Sequence, residues 1–230
     1  MRTKALLCAA LLAAGLATSQ AQSNVYSLNV VGYINLTVTN SISSTKLQFD
    51  FFSNPLTNSD MSVSNTLITA APGTKCYVWN TNSSGYDIYT KRTTVWTGGS
   101  TYTSVVGLRP GIPFMVVNPS YVANETITLV GNVPQGTKSI PYGGASSHNY
   151  ITYPFPMGGL VQTTLGLPAV KGDIVYQWSE PSQGWVITTR RTSTWTGGTG
   201  EPNLSVAGGM IYYPGANQTA GNWTSTFNVQ

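Results

Sequence analysis

Short apolar runs separated by Gly, Pro, Asn and Ser carry the chain from Val25 to its end, and no stretch beyond residue 21 sustains the three-to-four-residue spacing of an amphipathic helix. The longest run is Val25 to Val38, broken only by Gly32. Related runs recur at Thr126 to Val133 and at Trp223 to Gln230. Within KCYVWN, Tyr77 and Trp79 alternate with Cys76 and Val78, so on a strand the two aromatics share one face and the two smaller side chains the other. This pattern predicts an all-β protein of two tandem, related modules, each sandwich-like or barrel-like.

A repeat supports the division. Gly73 to Ser100 returns without a gap at Gly172 to Thr199, an offset of 99, and keeps Tyr77/Tyr176, Trp79/Trp178, Gly85/Gly184, Ile88/Ile187, Arg92/Arg191 and the Trp-Thr-Gly-Gly tetrapeptides that start at Trp96 and Trp195. A polar, Gly-bearing tract separates two β-rich runs in each copy, which predicts a hairpin. Phe49 to Leu56 faces Tyr150 to Met157 with a small shift of register, and Gly107 to Pro119 is echoed by Leu204 to Gly215 after a short deletion.

The expected organisation is a leader over 1–21, a first module over 22–130 and a second over 131–230. Three related long strands serve two modules, so the middle one is read as closing the first and opening the second. The first and last strands then remain as complements of each other, within one molecule or between copies. Their candidate association residues are Val25, Tyr26, Leu28 and Val30 at one end and Trp223, Phe227 and Val229 at the other.

Arg2 and Lys4, the apolar run Ala5 to Ala17 and the small residues at Ser19 and Ala21 have the layout of a secretory signal peptide. At about 13 residues that run is shorter than the ~20 a membrane span needs, so no membrane span is expected. Without Arg2 and Lys4, nine of the eleven basic residues remain against seven acids, too even a balance for a nucleic-acid partner. Without Cys8, Cys76 is the lone cysteine, which rules out an internal disulfide and reads as a small buried hydrophobe.

The opening VYSLNVVGY, the FSNPL element, GTKCYVWN and GDIVYQWS with their following Gly-aromatic pairs, and LRPGIPFMVVNP resemble a family of secreted two-repeat β-proteins common in Verrucomicrobia. That family has no established activity. The resemblance implies export and a structural use of these motifs, and it supplies no catalytic residues. The second module departs from the Pro-Gly-x-x-Phe element at LSVAGGMIYYPG.

Nothing in the sequence assembles into a reaction centre. The acids after the leader are Asp50, Asp60, Asp87, Glu125, Asp173, Glu180 and Glu201, and none has an acidic counterpart at the repeat offset, against the facing pair a glycosidase uses. His148 is the single histidine and lies in a Gly/Ser-rich loop, expected to be exposed. One His and one Cys cannot make a zinc site, and no Gly-Lys-Ser/Thr motif accompanies the glycine pairs. No cofactor, metal or catalytic residue is therefore expected.

Two surface readings remain. Tyr86 and Trp185 follow loop glycines and are expected to be exposed, and Arg92 and Arg191 are expected to stack on Trp96 and Trp195 or to act as solvated edge charges. The leading expectation is a secreted, non-catalytic structural protein at the cell surface or outside the cell. It would associate with copies of itself through edge strands into a filament, layer or matrix. The alternative is a carbohydrate-binding or adhesion module for extracellular polysaccharide.

Overall fold

The computed structural model describes residues 30–43, 45–99, 107–120 and 123–229. The expected leader and the association residues Val25, Tyr26 and Leu28 lie outside them. The fold is all-β, with one short helix, α1 (Val63–Thr66), among the described residues. No helix among them is long and apolar enough to cross a membrane.

Two five-stranded antiparallel sheets form the middle of the molecule. The first has the order β2 (Asp50–Ser53), β6 (Pro113–Val117), β3 (Lys75–Asn80), β4 (Gly85–Lys91), β5 (Trp96–Gly98). The second has β9 (Asn149–Ile151), β15 (Met210–Tyr213), β11 (Ile174–Ser179), β12 (Gly184–Arg190), β13 (Trp195–Thr196). The two orders correspond strand for strand. A two-stranded ribbon accompanies each sheet: β1 (Val31–Val38) with β7 (Glu125–Asn132), and β8 (Gly136–Tyr142) with β16 (Gly221–Phe227). A small pair, β10 (Gly159–Leu160) with β14 (Asn203–Leu204), completes the second half.

Alternation puts different side chains on the two faces of each sheet. Cys76, Val78, Phe114 and Val116 face the β1/β7 ribbon and pack on Leu36, Val38, Ile127 and Leu129. Val175, Met210 and Tyr212 pack on Tyr142 and Trp223 of the β8/β16 ribbon in the same way. The opposite faces meet each other through Phe51, Met115 and Ile211, with Phe49, Tyr77, Tyr150, Tyr176, Trp178 and Trp185 against them. The layers thus run ribbon, sheet, sheet, ribbon.

Strand pairing corrects three expectations. The strand near Val130 is not shared: it pairs with β1, and the division between halves falls in residues 133–135. The last strand pairs with β8, whose Lys138 and Pro141 conceal its alternation in the sequence. Within the chain the first and last strands are consequently not paired with each other. Finally, the shift of register before β2 and β9 is unnecessary. Phe51 pairs with Met115 as Tyr150 pairs with Ile211, and Met115 and Ile211 both lie opposite the corresponding Tyr77 and Tyr176, so the offset of 99 extends to the edge strands.

Candidate functional site

The aromatic residues singled out in the sequence lie mainly in the seam between the sheets. Tyr86 is 36 % exposed, and its hydroxyl donates to that of Tyr150 at 3.2 Å, with Trp79 stacked on Tyr150 at a centroid distance of 4.5 Å and 14°. Trp185 meets Phe51 and Trp178 edge-on at 5.4 and 5.0 Å. The expected exposed pair is therefore half-covered, because each sheet supplies the cover for the other. Burial and the Tyr150 contact raise the Tyr86 phenol well above its ordinary value.

Trp96 and Trp195 are not open platforms either. Lys91 pairs across the strands with Trp96, and its Nζ lies 5.8 Å from the indole; Arg190 pairs with Trp195 and places its guanidinium carbon at 5.8 Å. The cation over each ring is thus the first member of its basic doublet. Arg92 and Arg191 point the other way, as adjacent strand residues must, and donate to Thr97 and Thr196 at 3.3 and 3.1 Å. Trp195 is 9 % exposed and donates to Gln162.

The terminal association residues are likewise internal. Trp223 is fully buried and its indole donates to the Leu165 carbonyl at 2.8 Å; Phe227 packs against the second core, and the Val229 amide donates to Gln135. Val30, in contrast, is 37 % exposed and leads into β1.

Five of the seven carboxylates hold backbone amides. Asp50 accepts from Thr39, Asp60 from Ser62, Glu125 from Ala71, Asp173 from Val170 and Gly215, and Glu201 from Gln162 and Thr163. Ala71 and Val170 are 99 apart, so one loop amide is held by Glu125 in the first half and by Asp173 in the second. That exchange explains why Glu125 and Asp173 lack acidic counterparts at the repeat offset. Burial drives the Asp50 carboxyl up to about 6, the Thr39 bonds oppose this, and the nearby Glu180 adds to it. No group of three or more His, Cys, Asp or Glu residues suited to a metal ion occurs among the described residues. Cys76 is fully buried, and burial pushes its thiol up.

Sequence reasoning missed three clefts, each lined by one of the repeated tryptophans Trp79 and Trp178. One, of about 390 Å³, is lined by Trp79, Asn82, Asp87 and Arg109 of the first half and by His148 and Tyr150 of the second. In the second half the positions of Trp79, Asn82 and Asp87 recur as Trp178, Pro181 and Val186 around a cleft of about 420 Å³, and Trp178, Glu180 and Phe51, with Asn35 and Thr37 of β1, line one of about 270 Å³. Their signal was the repeat itself: Trp79/Trp178 recur on the face opposite the core, and a β-sheet face rich in aromatics must be covered by something.

No family model, curated protein or solved structure matches this chain. Among the described residues the most exposed large apolar side chain is Tyr33, on the outer side of β1. Val31 is 52 % exposed, Tyr33 71 % and, opposite Tyr33 on β7, Val130 47 %. On β7, Asn132 and Thr128 turn their backbone groups away from β1, toward Thr57 and the Thr69 hydroxyl. In an antiparallel ladder the facing residues do likewise, so Val31, Tyr33, Asn35 and Thr37 direct their amides and carbonyls outward. These groups have no partner among the described residues. The series ends at Thr39, whose amide is taken by Asp50.

Proposed function

We propose that the protein is a secreted, non-catalytic structural protein that associates with its own copies through the outer edge of β1. The observation that carries the reading is the contrast between β1 and β8, which open the two halves in corresponding ribbons. β8 contains Lys138 and Pro141, two residue types that blunt an edge against pairing. β1, VGYINLTV, contains neither a charge nor a proline over eight residues. An uncharged strand with an unpaired ladder edge is a template for β-augmentation.

The same edge on two copies pairs antiparallel about a twofold axis, which closes a dimer; a filament or layer then needs a second, different contact. The dimer is accordingly the unit from which any larger extracellular assembly would grow. The leader-like segment and the sparse charge, 8 % of residues, fit a neutral exported β-protein.

Sedimentation velocity of the protein lacking residues 1–21, over a concentration series, tests this. A concentration-dependent dimer is expected, and Tyr33→Lys, which changes an exposed side chain, is expected to leave a folded monomer. A wild-type monomer at every concentration, or unchanged association of Tyr33→Lys, would refute the reading.

A further inference from the structure

The seam clefts of the two halves share their Trp79 and Trp178 positions, yet only one of the two indoles is engaged across the seam. In the second half the Trp178 indole donates to the Phe49 carbonyl at 2.5 Å. The Gln183 side chain brackets the same residue, accepting from the Phe49 amide at 2.6 Å and donating to its carbonyl at 3.1 Å. At the offset of 99, Gln183 corresponds to Ser84 and Phe49 to His148. The backbone is conformed alike, φ being 47° at Gln183 and 49° at Ser84, but the serine side chain is too short to cross the seam. In the cleft of the first half the Trp79 indole N–H consequently has no partner among the described residues.

The Arg109 guanidinium and the Asn82 side-chain amide line the same cleft and likewise lack hydrogen-bond partners among the described residues. All three unengaged groups are donors. The half-buried faces of Trp79 and Tyr150 add apolar surface. The volume of about 390 Å³ falls in the range of small-ligand sites.

A ligand that uses all of these must present flat C–H faces to the aromatics, hydroxyl acceptors to Asn82 and Trp79, and a negative group to Arg109. We propose that this cleft binds an oligosaccharide whose sugars carry a carboxylate, with the carboxylate on Arg109, for which a guanidinium fork is geometrically matched. The proposal is independent of self-association, since β1 does not line this cleft.

Isothermal titration of the protein lacking residues 1–21 with trigalacturonate, and with cellotriose as a neutral trisaccharide of similar size, tests it. Saturable trigalacturonate binding is expected, with cellotriose weaker by about tenfold or more, the scale of one charge-assisted contact. Arg109→Gln, at an exposed position, is expected to erase that difference. Ser84→Gln, which removes no lining group and installs the glutamine that the second half carries at this position, is expected to weaken binding of both sugars. Absence of saturable trigalacturonate binding by the folded wild type would overturn the proposal, as would binding unaffected by both variants. Equal affinity for cellotriose would overturn the carboxylate assignment.

Discussion

The hydroxyls of Ser53 and Thr152 lie 3.3 Å apart across the seam, at positions 99 residues apart in the chain. Both are buried, and both donate to the Gly208 carbonyl, at 3.3 Å from Ser53 and 2.5 Å from Thr152. Their amides make a reciprocal exchange: Ser53 donates to Ala207 of the second half and Thr152 to Gly111 of the first. Gly111 and Ala207 both take positive φ, 95° and 60°, to present those carbonyls. Each edge strand, β2 and β9, is thus completed by the other half.

The halves are therefore expected to unfold together. Differential scanning calorimetry should show one transition with equal calorimetric and van't Hoff enthalpies, not two. Thr152→Val, which keeps shape and removes the hydroxyl, should cost about 1–3 kcal/mol in a urea titration. Combined with Ser53→Ala it should depart from additivity by at least about 0.5 kcal/mol, because the two side chains share one acceptor.

A second expectation separates an internal last strand from one reserved for a neighbouring molecule. Trp223→Phe keeps an aromatic ring but removes the donor to Leu165 and leaves a void in a fully buried site. Stability should fall by about 2–4 kcal/mol. The sedimentation behaviour of the folded fraction should not change. If β16 served association, the loss would appear in assembly instead of in the denaturation midpoint.

The sequence displays the hairpin of β3 and β4 openly because Tyr77/Trp79 alternate with Cys76/Val78 and Gly85 closes the turn. The edge strands are harder. Pro55 corresponds to Pro154, and Leu56 to Phe155, both pairs buried in their cores, but Pro156 offers a second alignment two residues away. β8 escapes notice because Lys138 and Pro141 interrupt its apolar positions, and without it the ribbons cannot be paired correctly. The clefts are illegible for a deeper reason. They depend on which long-range neighbour covers the Trp79 and Trp178 faces, and on a single side-chain difference, Gln183 against Ser84. Local patterning records neither.

Cys76 sits in the first core with no exposed surface, and burial raises its thiol above the ordinary range. It should be inert to a disulfide reagent in the native state and react at the rate of unfolding, titrating as one thiol in denaturant once residues 1–21 are absent. Rapid labelling of the folded protein would place it outside the core.

Stability should also depend on pH with a sign opposite to ordinary acid denaturation. The Asp50 carboxyl is raised from 3.8 to about 6, first by burial and further by Glu180 across the seam, against the opposing bonds from Thr39. A carboxyl raised on folding favours the folded state while protonated, so its contribution is complete below 3.8 and is lost as pH rises through about 6. Asp60 is shifted the other way, lowered by its Ser62 bonds. Glu201 is lowered too, because the Thr163 and Gln162 bonds outweigh its burial. Those two lose stability only as pH falls through the ordinary carboxylate range. Between pH 7.5 and 5 the Asp50 contribution therefore prevails, and the urea midpoint should rise as the solution is acidified before falling at lower pH. Asp50→Asn can still accept from the Thr39 amide and carries no charge. It should be more stable than the wild type at pH 7.5, and its midpoint should be nearly flat over that interval. A wild-type midpoint that falls steadily from pH 7.5 to 5 would show that Asp50 ionises in the folded protein without cost.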